Sequence, residues 1–446
     1  MATRKLGITV LVLAALVCGL LALPAMASSQ ARIVRLSDVE GTVQIDRNTG
    51  QGYEKAFLNM PITEGVKLWA KSDGRAEVEF EDGSVVRIVP DTKISFSQLS
   101  LDDSGKKLST VKVDEGTAYI NFRSKKDNEL TVNFGHESTR LTQPAHLRAD
   151  VRDTDATLAV FAGDAEVTGP SGSLKVGKKQ SATFDLAAND KYELAKNVEP
   201  DPYDKWDKEQ ALYHDRYHAS NSDSNYPYSY GVSDLNYYGN YYNVPGYGYL
   251  WQPYFAGVGW NPFTNGAWCW YPGFGYTWVS AYPWGWMPYR YGTWLFVPNY
   301  GWAWQPGGWN TWNTVPVAVN PPNRFAPPQV PVTAGHPTVI VGSGGSGSGA
   351  GSRRVMVTQG SAGLGIPRGS VRNLPVLSDR VATRGSATVH AAPSPAYAPR
   401  PMGSPGRVAA PARIGSPGGR GSSAPRMSAP SHSGSSHGSG SSSSRH

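Results

Sequence analysis

Between residues 31 and 195 apolar and polar positions alternate in short runs, the two-residue period of half-buried strands. In "AEVEFEDGSVVRIV", Ala76, Val78 and Phe80 alternate with Glu77, Glu79 and Glu81; Asp82-Gly83 marks a hairpin turn and a second strand follows. A short phrase recurs as "EGTVQI" at 40, "EGTAYI" at 115 and "AGDAEV" at 162, with glycine just before each strand, where a side chain would obstruct a tight turn. The expected architecture is a roll or sandwich of short strands with one alternate face buried. The period then changes. "YDKWDKEQALYHDRYHA", inside residues 203–222, has no glycine or internal proline and predicts a linker helix with a solvated polar face.

From 230 to 312 the chain repeats itself. "YGNYYNVPGYGYLWQ" from Tyr238, "NGAWCWYPGFGYTWV" from Asn265 and "YGTWLFVPNYGWAWQ" from Tyr291 align without gaps. The copies share Gly239, Gly266 and Gly292, and likewise Trp251, Trp278 and Trp304. Each predicts a β-hairpin with a type II turn at Pro245-Gly246, Pro272-Gly273 or Pro298-Asn299. Strand alternation gathers the aromatic rings on one side of each hairpin. An isolated hairpin is marginally stable, and so many exposed rings would exceed the patch a monomer tolerates. The three faces are therefore expected to pack together, with Tyr241, Trp251, Trp268, Trp270, Trp278, Trp294, Phe296, Trp302 and Trp304 as a shared core. The segments between copies carry Trp260, Trp284, Trp286 and Tyr289, which suit stacking on sugar rings from exposed loops, with Arg290 as a donor to an anionic glycan.

Composition changes the picture at both ends. Of 50 glycines and 34 prolines, many fall in residues 313–446, so that tail is expected to be disordered, with "HPTVIV" and "RVMV" as short islands able to pair. Its thirteen arginines from Arg324 onward face one acid, Asp379, which suits weak contact with envelope polyanions. A formal total of +7 thus hides an acidic folded part joined to a cationic tail. At the other end, "MATRK", the apolar run Leu6–Leu23 and "LPAMA" read as a signal peptide over 1–27, cleaved or kept as an anchor. The chain is expected to be exported, to the periplasm, cell surface or medium, with no membrane span after cleavage and no nucleic-acid partner. Cys269 is then the one cysteine of the mature chain; its aligned positions are Tyr242 and Leu295, the mark of a packed hydrophobe.

Two resemblances follow. "VRLSDVEGTVQI", "NMPITEGVKLWAKSDGRAEVEFEDGSVVRI" and "AVFAGDAEVTG" resemble the FecR domain of bacterial envelope signalling proteins, a β fold without catalytic residues. Known FecR proteins place a sigma-factor-controlling part and a membrane helix before this domain. Only five residues precede the apolar run here, so direct transcriptional signalling is the less expected role. "DKWDKEQ", "WVSAYPWGWMPYRYGTW" and "VPNYGWAWQPG" resemble an uncharacterised Trp/Tyr/Gly/Pro repeat family found after FecR domains, which implies domain order and export but no activity. The expected fold is thus mostly β: a FecR-like roll or sandwich, a short linker helix, an aromatic hairpin domain and a tail.

No catalytic, cofactor or metal site is expected. His214 and His218 lie four apart on one helix but lack a third ligand, and His136 and His146 fall in no triad or metal pattern. The leading expectation is a non-catalytic envelope module for interaction or structure, its partners envelope proteins or glycans. A glycan-binding module using the inter-repeat aromatics is the alternative.

Overall fold

Seventeen strands, from Val34–Glu40 to Lys191–Ala195, join in one hydrogen-bonded sheet. Its closure turns on a 16-residue strand, Lys107–Phe122. The first half pairs with Thr92–Leu101 and, in parallel, with Asn128–Phe134. The second half pairs with Val85–Ile88 and Ala145–Val151, so one strand serves two layers and the sheet rolls on itself. Gly116 sits where the partners change, at φ +87°, and a Cβ there would lie 2.5 Å from the Asp91 carbonyl oxygen. Gly41 and Gly163, its counterparts in the recurring phrase, also have positive φ and meet carbonyl oxygens at 2.0 and 2.4 Å. The enclosed core includes Leu36, Leu68, Ile94, Val111, Ile120 and Leu158. This computed structural model describes residues 32–218, 230–309 and 353–391. The expected signal peptide, "HPTVIV" and the remaining tail lie outside the described residues.

Helix α1 (Asp204–His218) corrects the solvated linker. Trp206, Asp207, Tyr213 and His214, seven residues apart in pairs, form a buried stripe. Asp204 and Asp207 in the first turn and Arg216 in the last suit the helix dipole. A second helix, α2 (Val232–Tyr238), packs against it and leads into the hairpins.

All three hairpins form: Gly239–Val244 with Gly248–Pro253, Gly266–Tyr271 with Gly275–Ser280, and Tyr291–Val297 with Gly301–Trp309. Their turns close with bonds from Tyr247 to Val244, Phe274 to Tyr271 and Tyr300 to Val297. Gly246, Gly273 and Asn299 take the positive φ at +83°, +76° and +68°. Hairpins one and three join at Trp251 opposite Trp304 into a four-stranded sheet. Hairpin two stays apart, which corrects the expectation of three faces packed together. Its Cys269, Tyr271 and Val279 face completes the core of the roll, and the Arg47 guanidinium lies over Tyr271 at 5.1 Å and bonds to the Trp270 carbonyl. Burial there pushes the Cys269 thiol up to about 11, in keeping with a packed hydrophobe.

Residues 353–391 correct the expectation of a disordered tail. The strand Arg353–Thr358, which contains "RVMV", pairs antiparallel with Ser386–Ala391. Between them runs a helix, α4 (Leu374–Arg384), capped by the Asn373 side chain on the Val376 N–H and ended by Gly385 at φ +83°. (A four-residue helix, α3, Met287–Arg290, precedes hairpin three.) Val355, Val357, Ile366, Leu374, Val381 and Val389 bury against the aromatic domain, so sparse apolar residues order a Gly/Pro-rich stretch by docking.

Roll, helices and tail segment meet in a buried ionic network. Its centre is the strand Arg75–Glu79, whose Glu77 and Glu79 are 0% and 2% exposed. The face expected to be polar thus points into the second domain, not into solvent. Glu77 accepts from Arg87 Nε at 2.8 Å, Arg368 Nη1 at 2.7 Å and Ser37 Oγ at 2.7 Å, with His214 Nε2 at 2.9 Å. Arg368, from the tail segment, also grips Asp234 of α2 through Nε at 2.9 Å and Nη2 at 2.8 Å. Arg35 reaches Asp234 at 2.6 Å, Glu79 at 3.3 Å and the Pro283 carbonyl at 2.8 Å. Arg87 continues to Asp207 of α1, which His146 meets at 2.7 Å. Although burial opposes it, His214 and these guanidinium groups hold Glu77 well below the usual carboxylate range. Asp234 is likewise lowered, against burial, by Arg368 and Arg35.

Removing one partner of such a network leaves an uncompensated buried charge. Arg368→Met is therefore expected to cost about 3–5 kcal/mol, read as a lower denaturation midpoint, with partial recovery in Arg368→Met/Asp234→Asn. Asp38 supplies a second test. Burial, then the Glu40 carboxylate, with Glu77 and Asp234 adding to it and the Arg368 guanidinium opposing, push it up to about 7. The folded chain then holds a proton that the unfolded chain, with a carboxyl near about 3.9, releases, so this group's contribution to stability falls as pH rises from about 4 to 7. Asp38→Asn should gain stability over the parent at pH 8 and show no gain at pH 4, measured by urea denaturation at both.

Candidate binding cleft

Copies one and two share one local device that explains their common glycine. In copy one the Trp251 indole lies flat against Gly239 of the facing strand, where a Cβ would come within 2.4 Å of the ring. Trp278 lies on Gly266 at 2.4 Å; in copy three Gly292 is required instead by its φ of +64° and by the Gln305 carbonyl oxygen at 2.1 Å from an added Cβ, with Trp304 at 2.9 Å. Glycine leaves room for the ring, and the ring shields a backbone that glycine leaves bare. Two of the three indoles also donate inward, Trp251 to the Leu235 carbonyl at 3.1 Å and Trp304 to that of Tyr291 at 2.6 Å. Trp278 makes no such bond; its Nε1 is buried without an acceptor among the described residues.

That difference falls beside a cleft. Hairpin two docks on the roll with one face, and its other face, with Trp268, Tyr276 and Trp278, opens toward Trp294 and Trp302 of hairpin three. Phe263, Tyr289 and Thr293 complete the walls of a cleft of about 510 Å³. Rings meet mostly edge to face: Trp268 on Trp278 at 5.6 Å, Phe263 on Tyr289 at 5.6 Å, and Tyr289 with Trp294 at 5.9 Å, tilted. Of the lining residues, only Arg290 is charged. Its guanidinium is turned inward, bonded to Thr277 Oγ1 at 2.5 Å and the Trp278 carbonyl at 3.1 Å, over the Trp286 ring at 4.9 Å, and burial lowers it to about 10. The wall offers flat faces and N–H edges but no carboxylate, histidine or thiol for acid–base or nucleophilic chemistry.

The expected stacking platform is inverted. Trp284 and Trp286 are fully buried, Trp260 is 6% exposed, Tyr289 is half-buried and Arg290 is 7% exposed. Trp284 stacks on Tyr282 at 4.9 Å and donates to the Ala362 carbonyl, so the tail segment roofs the loops between the hairpins. Among the expected core rings, Trp251 and Trp304 are fully buried and Trp278 nearly so. Tyr241, Trp268, Trp270, Trp294 and Trp302 are half-buried, and Phe296 is 53% exposed, which removes it from the core. Exposure grows toward the hairpin tips, where Tyr249 is 66% exposed, because one shared cross-pair covers only the middle of the sheet. Phe263 lines the cleft although it was not among the expected site residues; it ends the inter-repeat phrase "GWNPF", whose second copy, "GWMPY", ends in Tyr289 of the same cleft.

His214 and His218 do not form a ligand pair: His214 is spent on Glu77, and burial, with nearby Arg123 and Lys125, lowers His218. Among the described residues no cluster of three His, Cys, Asp or Glu has metal-site geometry. Of the described tail arginines, Arg368 is consumed in the buried network, which narrows the polyanion surface expected there.

Family models match two parts of the chain: "FecR protein" at residues 66–166, and "Family of unknown function (DUF6600)" at residues 232–333. A search of curated proteins finds no match. Two crystal structures, both described as a "putative anti-sigma factor" from Parabacteroides distasonis, are similar to parts of it. One is 15% identical with a TM-score of 0.26, over 29% of this chain and 59% of that structure's chain. The other is 16% identical with a TM-score of 0.27, over 36% and 80%. The chain carries a FecR domain followed by an aromatic hairpin domain of a family of unknown function.

Proposed function

We propose that this chain is a non-catalytic bacterial envelope protein, exported by its N-terminal segment, in which roll and aromatic domain act as one rigid binding module. The observation that carries this reading is the buried joint. Arg35 and Arg368 tie the roll to α2 and the tail segment through Glu77, Glu79 and Asp234. Such a joint favours a fixed surface over a hinge. The groups with potential for chemistry support the same view: Asp207 is paired with Arg87, His146 and His214 are hydrogen-bonded to Asp207 and Glu77, and Cys269 is buried. The FecR match and the signal-like leader support placement in the envelope. Among the described residues no helix is long and apolar enough to cross a membrane.

The FecR match also favours a second reading, in which the module relays an envelope signal to a regulatory partner. Fractionation of cells expressing the full chain, with N-terminal sequencing, should find it in the exported fraction beginning at Ser28. Transcript profiling of a deletion strain separates the readings: the binding module predicts envelope defects without a focused gene response, the relay predicts one. A chain left in the cytoplasm with Met1 intact, or hydrolytic activity in the purified protein, would sink the proposal.

A further inference from the structure

Four strands of the roll pair on one side only among the described residues: Glu54–Lys55, Pro61–Ile62, Gly172–Val176 and Lys191–Ala195. An open edge presents N–H and C=O groups to any passing strand, and folded proteins blunt such edges. Two of these four are only two residues long, and one of them begins with Pro61, which has no N–H to offer. Gly172–Val176 shows little apolar surface, with Leu174 half-buried and Val176 buried. Lys191–Ala195 is different. It pairs with Ser181–Asp185, where Tyr192 stands opposite Phe184 and Leu194 opposite Ala182, both core residues. Tyr192 and Leu194 thus continue the core face past the last strand, and they are 43% and 41% exposed. The other face of the strand carries Lys191 and Glu193, both exposed and without an ion-pair partner among the described residues.

We infer that this strand is a self-association edge, on which a second copy of the chain pairs antiparallel and joins two rolls into one continuous sheet. The strand's own sequence selects a copy of itself. A two-fold axis through Tyr192, perpendicular to the sheet, sets that ring beside its counterpart and Lys191 opposite Glu193 of the second copy on both sides of the axis. The facing rings lose exposed apolar surface, and each charge gains the opposite one it lacks within its own chain. Placing Glu193 on the axis instead would bring like charges together. Toward a strand of unrelated sequence, the alternating Lys and Glu act as obstacles, so they discriminate between partners as well as attract the right one. A five-residue strand offers a small interface, which suits a reversible dimer in the micromolar range. This assembly is independent of the binding-module reading above.

The test is sedimentation of the full chain from about 1 μM to about 100 μM. A concentration-dependent monomer–dimer equilibrium is expected. Lys191→Glu and Glu193→Lys should each weaken it by about tenfold or more, because each sets like charges opposite one another on both sides of the axis. A mixture of those two variants should pair again, since opposite charges then face across the axis, and the double exchange Lys191→Glu/Glu193→Lys should restore self-association. Both positions are exposed, and unfolding curves matching the parent guard against a folding defect. A chain that stays monomeric at the highest concentration overturns the inference. So does a dimer indifferent to both single variants, or a mixture of them that fails to pair. Amides of residues 191–195 protected from hydrogen exchange to the same degree at every concentration would assign the edge to a segment of the same chain, and overturn it too.

Discussion

Everything outside the roll depends on how Glu77 and Glu79 are satisfied. Two carboxylates on one strand, both facing a second domain, cannot be buried unless cations arrive from several directions. They come from three places, Arg35 on the neighbouring strand, Arg87 across the hairpin and Arg368 from the tail segment, with the His214 imidazole of α1 hydrogen-bonded beside them. Asp234 then balances Arg35 and Arg368, and so fixes where α2, and the hairpins after it, begin. Charged partners add directional geometry that apolar packing lacks. A network tying residue 35 to residue 368 therefore sets the register of the whole assembly as well as its stability.

That dependence explains what could and could not be read from the chain. Turns were legible because their chemistry is local: Pro245-Gly246, Pro272-Gly273 and Pro298-Asn299 carry their own φ requirements. So were Gly41, Gly116 and Gly163, whose phrase repeats. The alternation of Ala76, Val78 and Phe80 with Glu77, Glu79 and Glu81 correctly separated two faces. It did not say what would cover the acidic one, since an alternating strand reads the same whether its polar face meets water or three guanidinium groups. Arg368 looked like any arginine among glycines and serines, because its partners lie 134 and 291 residues away in sequence.

The aromatic domain shows the same limit more sharply. Periodicity identified Trp251, Trp278 and Trp304 as equivalent, and the glycine that each one faces bears that equivalence out. Loops, however, usually stay wet, and that rule by itself places Trp260, Trp284 and Trp286 at the surface. Here they are the core, because the segment containing Ala362 and Ile366 closes over them. With the loops filled, the half-buried strand rings Trp268, Trp294 and Trp302 are left to form a cleft. Core and surface exchanged places through a cover encoded some 70 residues downstream of the loops.

The repeat thereby divides its labour. Copies one and three spend Trp251 and Trp304 on internal carbonyls and pair edge to edge, which stabilises both hairpins. Copy two gives its Cys269 and Tyr271 face to the roll and, among the described residues, has no neighbouring strand and no acceptor for Trp278. A sequence unit that is structurally redundant in three copies can afford one departure, because the four-stranded sheet and the ionic joint hold the domain without it. Docking on the roll compensates hairpin two for its missing strand partner and turns its other face toward hairpin three. The departure that looks like a defect in the repeat is therefore what opens the cleft, where half-buried rings of hairpins two and three face one opening.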